Sequence, residues 1–213
     1  MRHRRRPFQV LLVCGFLLGA FAAPAEADHG SDPTSSHWGH GYPPKVTADC
    51  AESFLASVAL CTATDDAELT WVNNGFRNGF NVGQPWLGCG IHPGYITVCM
   101  LNQDGMESRC GSATALGCVQ RGFVFNPYKH IDWVVLSLCR NCYGRIHDRF
   151  GLQEGDRIVT RHEYGHALGL AHTGQLSSVM FGGPYGDSND AARFPNQHDR
   201  DVMCAMYCGH FEG

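Results

Sequence analysis

Positive charge is scarce in this chain. After the arginines among its first residues, the sequence contains no cluster of Lys or Arg. The whole sequence carries 16 Lys and Arg against 20 Asp and Glu, a net charge of −4. Nucleic acids and anionic membranes are bound through clustered basic side chains, so we expect neither as a partner. The sequence also contains no internal repeat, and no segment after residue 27 is apolar enough to cross a bilayer.

The N-terminus has the pattern of an export signal. Four arginines precede an apolar run over residues 8–23, and Ala25-Glu26-Ala27 offers small residues at the positions that signal peptidase reads. We therefore predict a signal peptide over residues 1–27 and a secreted, extracellular protein beginning at Asp28. A membrane anchor is the alternative, but the run is shorter than the ~20 residues of a span and contains two glycines. Cleavage leaves 12 basic and 19 acidic residues, a charge near −7.

The mature chain is predicted to consist of an arm and one domain. Residues 28–45 are rich in Gly, Ser and Pro, which indicates a flexible arm. Its histidines, His29, His37 and His40, are interpreted as solvated side chains. Residues 46–213 have a length that suits a single domain with its own core.

Ten cysteines follow the predicted signal, and an even number in an exported chain indicates disulfides. They are Cys50, Cys61, Cys89, Cys99, Cys110, Cys118, Cys139, Cys142, Cys204 and Cys208. Cys139 and Cys142 have the spacing of a redox or zinc pair, but no second such pair exists, so we interpret both as half-cystines. Cys204 and Cys208 share one face of a predicted helix, and we expect at least one to bond to a different segment.

Local patterns predict three strands and three helices. The strands are expected at residues 95–101, 122–125 and 131–138. The helices are expected at residues 48–60, from about 155 to 169, and at 199–207. The segment 131–138 is apolar almost throughout, which is typical of a strand deep in a sheet.

One segment of eleven residues has a metal-binding pattern. It is His162-Glu163-Tyr164-Gly165-His166-Ala167-Leu168-Gly169-Leu170-Ala171-His172. Histidines four apart on a helix project from one face, so both can reach the same ion. Gly169 tolerates positive φ and lets the chain leave the helix, which allows His172 to return as a third ligand. Catalytic zinc takes three protein ligands and keeps a fourth position for water, so we assign His162, His166 and His172 to one zinc ion.

Glu163 follows the first ligand and suits a general base rather than a ligand. It would take a proton from zinc-activated water and pass it to the leaving amine, while zinc polarises the scissile carbonyl. The predicted function is a secreted zinc-dependent endopeptidase. Three alternatives stay open: a module that holds zinc without turnover, a zinc hydrolase of non-peptide amides, and a disulfide-rich structural protein. Glu163 argues against the first, and the third leaves the histidines unexplained.

These eleven residues resemble the zinc motif of metzincin metallopeptidases, and the likeness covers roughly residues 158–207. The family places a methionine in a tight turn beneath the zinc, and the resemblance assigns that supporting role to Met180. Residues 199–207 are similar to the closing helix of matrixins, and Thr173 after the third histidine also favours the matrixin-like branch.

The resemblance implies an α+β metzincin-like domain with a twisted mixed β-sheet, an active-site helix and a C-terminal helix, stabilised by disulfides. It also implies a protein or peptide substrate, and we expect a monomer. Astacins and serralysins carry a tyrosine two places after the methionine; that place is Gly182 here, so a tyrosine ligand is not expected.

Two matrixin features are missing from the sequence. The histidine-rich loop that binds a second zinc and calcium is not found, so we expect one catalytic Zn²⁺, and calcium lacks support. Residues 187–190, Asp-Ser-Asn-Asp, are interpreted as a solvated acidic turn. The cysteine-containing inhibitory segment is also absent, and the arm of about 18 residues is too short for a folded propeptide. We therefore expect activity directly after export, without proteolytic maturation.

Overall fold

The structure is a computed structural model that describes residues 37–39, 43–49, 53–54, 58–81, 85–125, 129–140, 142, 144–182 and 193–208. The predicted signal peptide, His29, His40, Cys50 and the acidic turn at 187–190 lie outside these residues.

Seven strands and five helices occur in the described ranges. The strands are β1 (His37–Trp38), β2 (Lys45–Ala48), β3 (Ser53–Phe54), β4 (Val58–Ala59), β5 (Tyr95–Leu101), β6 (Gly117–Phe125) and β7 (Lys129–Cys139). The helices are α1 (Leu60–Asn73), α2 (Gln103–Cys110), α3 (Gly144–Phe150), α4 (Leu152–Ala167) and α5 (Gln197–Tyr207).

Five of the strands form a mixed sheet around β7. The pairs β1–β7, β5–β7 and β2–β5 are parallel, whereas β6 runs antiparallel to β7. β3 and β4 form a separate antiparallel pair. The predicted mixed sheet is therefore confirmed, and β6 lies at its edge with one side unpaired by any described strand.

The predicted strands all form, and two of them are longer than predicted. The prediction for 95–101 matches β5, and β7 extends the predicted 131–138 by a few residues. β6 begins at Gly117 rather than at 122, because its first residues pair with the second half of β7. Buried side chains from the sheet and helices share one core that includes Leu60, Trp71, Ile96, Leu136, Tyr164 and Met203.

The helix predicted over 48–60 is wrong. Its start belongs to β2, whose residues pair in parallel with β5, and the helix begins only at Leu60. Pairing with a strand distant in sequence overrides the helical preference of this Ala- and Ser-rich stretch. α1 packs against α4, and the Trp71 indole donates to the Arg161 carbonyl at 2.8 Å. α2 and α3 were not predicted from the sequence.

The two C-terminal helices are confirmed with shifted starts. α4 begins at Leu152 and ends at Ala167, and Gly169 follows with φ of 112°, the conformation expected at the helix exit. α5 begins two residues before the predicted start, because Asn196 and Asp199 form a reciprocal capping box.

The predicted arm over 28–45 is wrong at His37 and Trp38, which form β1 within the sheet. Trp38 is 3% exposed; its indole donates to the Ala167 carbonyl, and its backbone N–H donates to the Tyr207 hydroxyl, both at 3.1 Å. His37 is buried rather than solvated. Burial of the large indole anchors this segment, so the folded domain includes residues before the predicted boundary at 46.

Four disulfides join described cysteines: Cys89–Cys99, Cys110–Cys118, Cys139–Cys142 and Cys204–Cys208. Cys61 is disulfide-bonded as well. The interpretation of Cys139 and Cys142 as half-cystines is confirmed, whereas the expectation for Cys204 and Cys208 is wrong. These two bond to each other because their positions four residues apart bring their Cα atoms within 4.7 Å.

Several disulfides indicate that the chain folds in an oxidising compartment. No helix within the described ranges combines the length and apolarity needed to cross a membrane.

Candidate metal centre

The three histidines predicted as ligands meet at one point. His162 and His166 project from α4, and His172 returns after the chain leaves that helix at Gly169. The Nε2 atom of His162 lies 3.1 Å from the Nε2 atoms of both His166 and His172. Three ligands about 2.0–2.1 Å from a tetrahedral zinc would stand roughly 3.3 Å apart. The cluster could therefore hold a metal ion.

In two of these rings, the hydrogen bond of Nδ1 identifies Nε2 as the atom that would face a metal ion. His162 Nδ1 is 2.6 Å from the Val179 carbonyl oxygen, and His166 Nδ1 is 2.8 Å from the Leu170 carbonyl oxygen. A carbonyl only accepts, so both Nδ1 atoms donate, and both neutral rings present Nε2 lone pairs to the common point. Two facing lone pairs at 3.1 Å repel each other, and a cation between them removes that repulsion.

Burial keeps these rings in the form that binds metals. It lowers the pKa of His162 to about 4 and the pKa of His166 well below its usual value. Metal coordination requires the neutral imidazole, so neither ring has to lose a proton at neutral pH.

Glu163 lies beside the cluster on α4 and is only 6% exposed. Its Oε2 has no hydrogen-bond partner among the described residues. The backbone of Gly117 on β6 covers the carboxyl group so closely that a Cβ there would lie 2.5 Å from Oε1. Burial raises the pKa of Glu163 to about 8. An unpaired, buried carboxyl oxygen beside a cation site can exchange protons with a bound water or substrate.

The chain matches no protein-family model and no curated protein sequence. The side chains of the site therefore carry the functional inference by themselves.

A turn beneath α4 supports the cluster. Met180 is fully buried there and packs against Gly165, where any larger side chain would overlap its sulfur. Ser178 Oγ donates to Asp199 and accepts the backbone N–H of Met180 at 2.8 Å. The same turn supplies the Val179 carbonyl that orients His162. Sequence reasoning found Met180 but missed Ser178, whose role depends on contacts remote in sequence.

The third histidine is held against Gly182. A Cβ at this position would lie 2.8–3.0 Å from the His172 side chain, so a larger residue would displace the ring. The sequence had identified Gly182 only as a place without a tyrosine.

A pocket of about 350 Å³ opens in front of the cluster. One wall is the start of β6, and the other is the segment from His166 to His172. Arg121 of β6 also lines it, and burial lowers the pKa of its guanidinium without removing the charge. Sequence reasoning missed Gly117 and Arg121. Each is two residues from Val119 on β6, and this spacing is the only local signal that the three residues share a face.

Proposed function

We propose that this chain is a secreted zinc-dependent endopeptidase with a metzincin-like, matrixin-type domain. The observation that carries the proposal is the convergence of three imidazole Nε2 atoms beside buried Glu163, whose Oε2 has no hydrogen-bond partner in the described part of the chain. The disulfides support export, because such bonds persist in oxidising compartments.

The donor set favours zinc. His162, His166 and His172 would hold the ion, and three neutral imidazoles with room for a fourth ligand are typical of catalytic zinc. When bound, zinc would polarise the scissile carbonyl and lower the pKa of a water. Two of the histidines are oriented by backbone carbonyls, an arrangement that fixes ring direction around a metal.

Glu163 would act as the general base. Burial alone favours the neutral carboxyl, but the positive charge of a bound zinc would favour the ionised form. Oε2 would then accept a proton from the attacking water and return it to the leaving amine. Gly117 leaves the carboxyl no room to turn toward β6, so the group stays beside the cluster.

The edge position of β6 supports a peptide as substrate rather than a small amide. The start of β6 runs along the pocket, and no described strand pairs with the outer edge of β6, so an extended chain can add there. The metzincin resemblance leads us to expect an active-site helix and a methionine turn beneath the ligands, and α4 and the buried Met180 against Gly165 support the proposal.

Two variants separate proton transfer from metal binding. Glu163→Ala should keep zinc, because the carboxylate lies outside the ligand set, while peptide cleavage falls by roughly 10²–10⁴-fold. His166→Ala should lose both zinc and cleavage, because two histidines give a much weaker site. Zinc content and cleavage of a mixed peptide library are measured for each variant, with and without a chelator.

Glu107→Ala, on the exposed face of α2, is the matched control and should change neither quantity. Full hydrolysis by Glu163→Ala, or wild-type activity that survives zinc removal, would contradict the mechanism. Zinc binding without cleavage of any peptide would instead favour a binding module, and cleavage of simple amides alone would favour a non-peptide hydrolase.

A further inference from the structure

Side chains alternate along β6, and this alternation places Arg121 on the face of the strand that is directed toward α4. Gly117, Val119 and Arg121 all line the pocket, and residues two apart on a strand share a face. Gly117 lies against Glu163, and Arg121 reaches the end of α4, where its Nη1 donates to the His166 carbonyl at 3.1 Å. The guanidinium therefore lies in the same pocket as the three histidines, farther along β6.

This guanidinium has no anionic partner in the part of the chain that the structure describes. Its contacts are the His166 carbonyl and the Phe123 ring, 5.9 Å from its central carbon. Arg161, by contrast, is paired with Asp66 at 2.7 Å and Glu154 at 2.8 Å. A guanidinium has five N–H donors, so one bond to a carbonyl leaves donors for a ligand. A half-buried cation without a carboxylate makes the pocket receptive to an anionic group.

We propose that Arg121 determines substrate specificity by binding an acidic side chain on the N-terminal side of the cleaved bond. The inference rests on the proposed peptidase function and deepens it. It concerns the recognition of substrate rather than the chemical step.

The side of the bond follows from strand pairing. The scissile bond must lie near Glu163 and hence opposite Gly117, and antiparallel pairing is the more stable arrangement for a peptide added to β6. In that arrangement, moving from Gly117 toward Arg121 runs toward the N-terminus of the substrate. The two Cα atoms are roughly 13 Å apart along the strand, at about 3.3 Å per residue. Allowing for side-chain reach, the acidic residue lies about two to four positions before the cleaved bond.

The competing explanation is that Arg121 only caps α4 through the His166 carbonyl. A cap acts on every substrate equally, whereas a specificity residue distinguishes charged from neutral peptides. Peptides matched except for Glu or Gln at positions two to four before the cleaved bond separate the two roles.

For these pairs, wild-type kcat/KM should be at least about tenfold higher for the Glu peptide, the scale of one hydrogen bond to a charged group. Arg121→Gln should abolish this preference, keep the zinc content, and leave the Gln peptide within about threefold of wild type. Arg121→Glu should prefer a Lys peptide. Arg77→Gln removes an equal charge at an exposed site and should keep the wild-type preference.

Equal losses on Glu and Gln peptides, or no wild-type preference, would overturn the proposal. A preference only for acidic residues after the bond, or only for a free C-terminal carboxylate over its amide, would also overturn it. The affinity of the Glu and Gln peptides for zinc-loaded Glu163→Gln is measured by fluorescence anisotropy. If the wild type cleaves nothing, the peptidase proposal fails, while tenfold tighter binding of the Glu peptide still supports Arg121 as its receptor, and equal binding excludes it.

Discussion

The two sides of α4 differ in whether their polar groups have hydrogen-bond or ionic partners. We call the side with Arg161 and the turn next to Asp199 the supporting side, and the side with Glu163 and Arg121 the pocket side. On the supporting side, Arg161 binds two carboxylates and the Arg193 carbonyl, and buried Asp199 accepts bonds from Ser178. On the pocket side, Glu163 keeps an unpaired oxygen and Arg121 lacks a carboxylate partner among the described residues. Paired groups hold a helix in one position, whereas unpaired groups in a pocket stay available to water or ligand. The difference separates the part of the molecule that orients the candidate ligands from the part that would meet substrate in the proposed function.

Loss of Asp199 should break the supporting side and have the largest effect. Asp199 accepts from Ser178 Oγ at 2.7 Å and from the Asn196 N–H at 2.9 Å, and it is fully buried. Asp199→Ala leaves both donors without this acceptor, so we expect the free energy of unfolding to fall by about 3–5 kcal/mol. Zinc affinity should fall as well, because the turn that orients His162 loosens. Urea unfolding and zinc titration measure the two effects.

The matched control is Asp201→Ala on the same helix, where the exposed carboxylate accepts, among the described residues, only from Gln197 at 2.7 Å. Its loss should cost no more than about 0.5 kcal/mol. Similar costs for the two variants would show that the buried network contributes nothing special to the support of α4.

A methyl group at Gly117 should disturb the pocket side alone. Gly117→Ala would place a Cβ against the Glu163 carboxyl group and push it away from the cluster. We expect peptide cleavage to fall by about 10–100-fold, part of the contribution of a general base, with zinc content unchanged. Gly144→Ala, where a Cβ meets nothing within 4 Å, is the control. Lost zinc in Gly117→Ala would mean that the two sides are not independent.

Glu68 on α1 belongs to the supporting side, but burial disfavours its charged form. Its replacement should have the smallest effect on the molecule. Burial, chiefly, and the charge of Asp65 raise its pKa to about 8, while Tyr164 donates to it at 3.3 Å. Between pH 4.5 and about 8 the folded chain keeps a proton that the unfolded chain releases, so the stability from this group falls as pH rises. Glu68→Gln cannot ionise, so its free energy of unfolding relative to wild type should rise as pH increases from 4.5 to about 8.

The gain should vanish below pH 4.5, where both forms are neutral. Urea unfolding across this pH range measures it, and Glu107→Gln controls for the loss of one acidic group at an exposed site. A gain that is independent of pH would show that packing, not ionisation, separates the two side chains.

Local patterns predicted the strands of the sheet better than the short helices. β5 and the centre of β7 are largely apolar and rich in β-branched residues, a strong local signal, so the sequence predicted both. The segment 48–60 suggested a helix, but its first residue ends β2, which pairs with β5, and β3 and β4 pair with each other within it. α2 was missed although Asn102 accepts from the Gly105 N–H as a helix cap, because the same residues also suit a turn.

The sequence by itself determined the candidate ligands, because His162, His166 and Gly169 act through spacing on a single helix and its exit. It also predicted that the cysteines form disulfides, since their even number after a predicted export signal indicates this. Only the tertiary structure decided which carbonyls orient the rings, that Gly117 covers Glu163, and that Arg121 enters the pocket. These contacts join segments far apart in the chain, and their geometry follows from packing that no local pattern encodes.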